Sequence, residues 1–161
     1  MNSGSTPEDF FIKLNADTDN GESDDSSAWN DTAPTSTVFT VGTSSGTNTL
    51  NETYVAYCWC DKTAYSKFGN YTGTGASGNA VTGLGFKPAF LMIKRTDATA
   101  DWIIWDNTRD TDDKPSSFLY PNLSNQEENS ADFLSGASYA IATFTNDGFT
   151  LNDGTATVTH Q

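Results

Sequence analysis

The residues in this chain that could carry chemistry are mostly carboxylates, and their spacing decides what they can do. Two loops concentrate them: Asn15 to Asp25, which holds Asp17 and Asp19, and Asn107 to Ser117, which holds Asp110, Asp112 and Asp113. Carboxylate oxygens along a loop are hard ligands suited to calcium. The regular twelve-residue calcium loop needs Asp at its first position and Gly at its sixth. Counting back from Gly21 puts Ala16 first and Thr18 third, so that register fails. Asp17, Asp19, Asp110 and Asp112 stay as candidates for an irregular calcium site, beside the plainer expectation of two solvated acidic loops. No other cofactor is expected.

A second constellation is aromatic. Trp102, Trp105, Asp106 and Tyr120 are the types a sugar site uses, since sugars stack on exposed rings while carboxylates and amides take their hydroxyls. Trp102 and Trp105 are three apart in an extended run and so face opposite sides, which leaves at most one as an exposed platform. Asp101 and Asp106 flank the same run and are the two-carboxylate pair by type. A retaining glycosidase needs such carboxyls about 5 Å apart with one pKa raised by burial, and polar loop ends do not raise it. No enzyme is expected. Cys58 and Cys60, two apart, would share one face of a strand, where a bridge is strained, so they are expected to be free, buried thiols. The sole histidine is His160, which leaves no Cys/His set for zinc. The glycine-rich Gly73 to Asn79 lacks the Lys-Ser/Thr ending of a phosphate loop.

Charge narrows the partners. Eight Lys and Arg stand against 21 Asp and Glu, a formal charge of −13, which repels nucleic-acid backbones and anionic membranes. No run approaches the ~18 apolar residues of a membrane span. The opening MNSGSTPEDFF has no basic region followed by an apolar core, so no signal peptide is expected. Abundant Thr, Ser, Asn and Gly with 18% charged residues fit an extracellular or virion β-protein. The length of 161 residues suits one domain over 1–161, with 1–9 as a polar lead.

The elements that must position these residues read as strands. Short apolar runs bounded by turn residues predict strands over 10–14, 37–41, 53–60, 65–72, 118–122, 139–144, 146–151 and 155–159. Thr53 to Cys60 is apolar on both faces, which predicts the interior of a sheet. The stretch Val81 to Asp106 predicts a buried hairpin: Ala89 to Ile93, a loop at Asp97 to Asp101, and Trp102-Ile-Ile-Trp105 returning. Only Asn125 to Phe133 leans toward helix. About ten strands with almost no helix predict an all-β fold, a β-sandwich of two antiparallel sheets.

The chain also repeats itself. Phe11-Ile-Lys-Leu-Asn15 resembles Phe118-Leu-Tyr-Pro-Asn122, and Thr37-Val-Phe-Thr-Val-Gly42 resembles Asp147-Gly-Phe-Thr-Leu-Asn152, at nearly the same offset. Such offsets suggest a duplicated and permuted unit, with half-repeats at 10–60 and 81–159. The hairpin and the Thr53–Cys60 strand each occur once. A sheet short of a strand exposes N–H and C=O groups that a neighbouring chain can pair, so self-association is expected.

Several of these pieces, in this order, resemble a tandem β-rich domain of tailed-phage virion structural proteins, of the tail-fibre and appendage type found in marine phages. They are Ala33 to Gly42, Thr53 to Trp59, Tyr65 to Gly73, Gly85 to Asp97, Trp102 to Arg109 and Asn146 to Leu151. Chains of that family usually close on a further Tyr-containing strand, before which this sequence ends. The resemblance implies a structural or adhesive role and brings no catalytic residues. The expectation is therefore a non-enzymatic virion protein (tail fibre, appendage or capsid decoration subunit). It would assemble in the host cytoplasm, become extracellular with the particle, and contact itself or other virion proteins. The alternative is a carbohydrate-binding, lectin-like adhesion module facing a host-surface glycan, and less favoured still a polysaccharide depolymerase.

Overall fold

A computed structural model describes residues 10–14, 22–110, 116–129 and 142–152. Among the described residues the chain is all-β apart from one helical turn, and its core is a sandwich of two antiparallel sheets. It divides into two compact units, one running to Cys58 with Thr96–Thr99 added, the other formed by Trp59–Arg95 and the chain from Ala100 onward.

The second unit holds the sandwich. One sheet is β3 (Asn79–Thr82), β9 (Gly148–Leu151) and β8 (Ala142–Thr145), with β9 in the centre. The other begins with the expected hairpin, β4 (Phe90–Ile93) against β5 (Ile103–Asp106), in the register Phe90↔Asp106 to Ile93↔Ile103. Ile104 and Leu119 exchange both backbone hydrogen bonds, at 2.9 and 3.1 Å. That exchange carries the sheet on to β6 (Ser117–Phe118) and β7 (Glu128–Asn129).

The period of two then sorts the side chains. Ile93, Ile103, Trp105 and Phe118 from this sheet meet Ala142, Phe144, Phe149 and Leu151 from the other in one buried cluster, with Tyr71 packed edge-on against Phe149. Each large side chain withdrawn from water there contributes about 1.5–3 kcal/mol.

Two close contacts fix the β3–β9–β8 sheet. A Cβ at Gly148 would sit 1.9 Å from the Val81 carbonyl oxygen, so only glycine lets β9 lie this close to β3. Beyond β3 the chain turns through Gly83 and Gly85, both at positive φ. Their N–H groups donate to the two carboxylate oxygens of Asp147 at 3.0 and 2.7 Å, and the Leu84 N–H donates to the Asp147 carbonyl at 3.0 Å. The Asn146-Asp147 turn between β8 and β9 is thereby clamped to the end of β3.

The first unit is built differently. β1 (Phe10–Ile12) pairs with β2 (Glu22–Asp24), and α1 (Ser26–Trp29) follows. Asp25 caps α1 by accepting from the Ser27 N–H at 2.9 Å. The carbonyls at the other end of this turn are taken by the segment 40–47: Ser44 N–H to Ser27, Gly42 N–H to Ala28, and the Thr40 hydroxyl to Trp29. Gly42 is required there, because a Cβ would lie 2.0 Å from the Ser27 oxygen.

Several sequence expectations are corrected here. Residues 37–41, 53–60 and 65–72 form no strands. At 35–38 the Thr35 hydroxyl accepts from the Thr37 and Val38 N–H groups, a local turn that competes with a ladder. At 62–66 the backbone turns through Ala64 at φ 60°, and the Asp61 carboxylate takes the Phe68 N–H and the Lys67 ammonium. Thr53–Cys60 needs cover on both faces and a pairing edge, and the described strands give it neither. Cys58 and Cys60 are free, as expected, but exposed rather than buried. Of the helical leaning at 125–133, the described part 125–129 holds β7 at Glu128–Asn129 and the rest lies outside the described residues, while α1 was not foreseen. The strand expected at 155–159 lies outside the described residues.

Candidate functional site

The four aromatic-site candidates are separated by the sheet. Trp105 is 0% exposed, its ring tilted against Phe118 at 6.4 Å between centroids, so it fills the core and offers no stacking face. Asp106 lies at one end of β5 and is held by Arg109, whose Nε and Nη2 both approach Oδ2 at 2.6 Å. The Thr108 and Arg109 N–H groups add contacts to Oδ1 at 2.9 and 3.0 Å, and Arg109 reaches on to Glu127 at 2.9 Å. Burial pushes the Asp106 carboxyl up, but these hydrogen bonds and the guanidinium charge outweigh it, and the group sits below the usual carboxylate range. That is the opposite of what a general acid requires.

Trp102 and Tyr120 lie toward the other end of the β5–β6 ladder. The Trp102 N–H donates to Asn122 Oδ1 at 3.0 Å, and Asn122 Nδ2 donates to Asp101 Oδ1 at 2.7 Å. Tyr120 stands edge-on to Phe118 at 5.4 Å. Burial pushes its hydroxyl up to about 12, helped by the charges of Glu128 and Asp101. Asp101 is thus a support for the Asn122 bridge, at the opposite end of β5 from Asp106. Asn122 was passed over in the sequence because an amide in a loop carries no pattern.

For calcium, Asp17, Asp19 and Asp112 lie outside the described residues. Asp110 is engaged locally, accepting from the Ser116 and Ser117 N–H groups at 2.8 and 2.6 Å and from both hydroxyls. Among the described residues no group of three His, Cys, Asp or Glu could hold a metal.

Two features went unrecognised in the sequence. Within the first unit a cavity of about 590 Å³ opens beside α1, lined by Lys13, Asp25, Trp29, Ser44, Ser45 and Thr47. Its signal is diffuse, because its lining comes from three separate stretches. The other feature is the condition of Thr53–Cys60, which crosses the point where the first unit gives way to the second. Tyr54, Val55, Tyr57 and Trp59 are exposed, Val55 at 80% and Trp59 at 74%. The Tyr54 hydroxyl donates to the Ser45 carbonyl at 2.9 Å and accepts from the Thr49 N–H at 3.0 Å, and the Cys60 carbonyl accepts from the Ser66 hydroxyl at 2.8 Å. Exposed large apolar side chains gathered along one segment make it a candidate interaction site.

A family model described as a domain of unknown function, DUF7483, matches residues 3–137 of the 161. The chain belongs to the DUF7483 family. The DUF7483 match takes in the β4–β5 hairpin and the exposed 53–60 segment, and stops before β8 and β9, which supply half of the sandwich core. No curated protein and no solved structure matches the chain. Among the described residues no helix is long and apolar enough to cross a membrane.

Proposed function

We propose that this chain is a non-enzymatic virion structural protein, a tail-fibre, appendage or capsid-decoration subunit that assembles through β-strand contacts with itself or with other virion proteins. The observation that carries the reading is Thr53–Cys60: eight residues of strand-forming composition, apolar on both faces, that stand exposed outside every sheet. An isolated chain gains nothing from such a segment, whereas an assembly gains both its hydrogen bonds and its apolar area. The sandwich, the −13 charge and the resemblance to tailed-phage proteins support the same role. Strand-mediated assembly requires no cofactor, nucleic acid or membrane.

The test is electron microscopy of the purified protein together with sedimentation across a concentration series. Filaments, rings or concentration-dependent oligomers are expected. A single monomeric species up to hundreds of micromolar rejects the reading.

A second reading, a carbohydrate-binding adhesion module, draws on the cavity beside α1, where the Trp29 indole, hydroxyls and a carboxylate line one cleft. Titration of tryptophan fluorescence with host-surface polysaccharide, repeated with Trp29→Ala, tests it. A response that survives Trp29→Ala removes this cleft from consideration.

A further inference from the structure

We propose that the cleft beside α1 takes a neutral sugar, with the Asp25 carboxylate divided between two tasks: Oδ1 caps α1, and Oδ2 accepts from a sugar hydroxyl. This rests on the carbohydrate reading of the cleft above and specifies the sugar class and the residue that recognises it. Every residue of the lining belongs to the first unit.

The cleft is held open by the chain's own hydrogen bonds. One wall is α1 with its cap, and the other is the turn at 44–48. Within that turn the Thr47 and Asn48 N–H groups donate to the Ser44 carbonyl at 3.1 and 2.8 Å, and Asn48 Nδ2 donates to the Gly42 carbonyl at 2.7 Å. Two bonds join the walls: the Ser44 N–H to the Ser27 carbonyl at 3.0 Å, and the Thr47 hydroxyl to the Ala28 carbonyl at 3.3 Å. A site formed in advance in this way loses little conformational freedom when a ligand enters. Its volume of about 590 Å³ lies within the usual span of small-molecule sites, about 300–1,000 Å³.

The groups left unpaired in the lining define the ligand. Asp25 Oδ1 accepts from the Ser27 N–H at 2.9 Å and the Ser27 hydroxyl at 2.5 Å, whereas Oδ2 has no donor among the described residues. The Ser45 hydroxyl and the Trp29 indole N–H likewise have no partner among them. The Ser44 hydroxyl oxygen accepts from the Gly46 N–H at 3.3 Å, which leaves its proton to donate. Thr47 donates its proton to Ala28, which leaves its oxygen to accept. Donors and acceptors are thus mixed in one lining. A sugar hydroxyl both donates and accepts and matches such a mixture, while a phosphate or carboxylate only accepts and would oppose Asp25 Oδ2. Trp29 is the one aromatic of the lining and is half-buried, a ring suited to the apolar face of a pyranose.

Charge then selects among sugars. The two formal charges of the lining, Lys13 and Asp25, cancel, and the whole chain carries −13. A uronic or sialic acid would bring an anion against both Asp25 and that field. A neutral hexose meets neither.

The two tasks of Asp25 can be separated by one substitution. Asn is as good a cap as Asp, so Asp25→Asn keeps an oxygen for α1. It replaces the other oxygen with an amide NH2, a donor where the sugar needs an acceptor.

The experiment puts the full chain on an array that holds neutral hexose oligosaccharides beside glycans ending in uronic or sialic acid. Calorimetric titration with the strongest neutral member follows. Binding to neutral members is expected, with an affinity that does not change between about 0.05 and 0.5 M NaCl, since no net charge is recognised. Asp25→Asn should lower that affinity at least about tenfold, as for a lost hydrogen bond to a charged group, with an unchanged thermal midpoint. Ser45→Ala, which removes a hydroxyl that bonds nothing in the described chain, should lower it a few-fold and leave stability alone. If Asp25→Asn also lowers the midpoint, Ser45→Ala decides, and an unchanged affinity there overturns the inference. Binding to acidic glycans alone, or full affinity in a folded Asp25→Asn, overturns it as well, while loss of binding in Trp29→Ala keeps the carbohydrate reading of the cleft. Binding to no glycan removes that reading together with the inference and leaves strand assembly standing.

Discussion

The two Phe-Thr segments of this chain carry nearly the same sequence and end in opposite conditions. Gly148-Phe-Thr-Leu151 is β9, the central strand of its sheet, with Phe149 5% exposed and Leu151 fully buried. Val38-Phe-Thr-Val41 forms no strand, and its Phe39 is 45% exposed. Local propensity favours the Val38 segment, since Val forms strands better than Gly. The difference lies in what surrounds them. Phe149 has β3 and β8 on its flanks and the Trp105–Phe118 layer across the core, while the Val38 segment is turned by the Thr35 hydroxyl and tied to α1 through Thr40. A strand sequence becomes a strand only where partners exist to take its backbone groups and cover its apolar side.

The comparison can be broken by truncating equivalent residues. Phe149→Ala should cost about 3–5 kcal/mol in urea denaturation, the usual loss for a buried aromatic. Phe39→Ala should stay within about 0.5 kcal/mol, as for an exposed side chain. Equal costs would mean that the two segments are packed alike. Next in size is Gly148→Ala, whose methyl would enter the Val81 carbonyl and must part β9 from β3, at about 1–3 kcal/mol. Val38→Ala, the matching position in the first unit, should be silent in the same assay.

Asp147→Ala sharpens the comparison at the turn, because it leaves the Gly83 and Gly85 N–H groups without their carboxylate. These groups are exposed to water, so about 1 kcal/mol is expected, measured as a lowered denaturation midpoint with an unchanged slope. The smallest effect is electrostatic. The Asp106 carboxyl is depressed in the folded chain, so its stabilisation is fully present above the ordinary carboxylate range near 4 and is lost as pH falls through the depressed value. The denaturation midpoint of the natural chain should therefore decline on the acid side. Asp106→Asn should flatten that decline without changing the midpoint's dependence near neutrality. An unchanged acid limb would remove Asp106 as its source.

The β4–β5 hairpin was legible because its signals agree: glycines and a proline before it, apolar runs on both arms and a polar loop between. The β8–β9 turn was legible from Asn146-Asp147-Gly148 for the same reason. Thr53–Cys60 misled because its composition records what the segment is suited to pair with, and the partner is not supplied by the described strands. Of the aromatic site, residue types were readable but grouping was not. Trp105 goes to the core by alternation, and Asp106 is drawn to Arg109 three residues on. The Trp102 N–H is tied to Asn122, a link across 20 residues that no local pattern announces.

Sequence by itself determined the all-β character, the net acidity, the hairpin and the β8–β9 turn, since these follow from side-chain alternation, turn chemistry and formal charge. Only the tertiary structure decided which of the two Phe-Thr segments is buried, why Gly148 and Gly42 must be glycine, and that the most strand-like stretch stands exposed. Those outcomes depend on which strands come within hydrogen-bonding distance, and that is set by contacts between residues far apart in the chain.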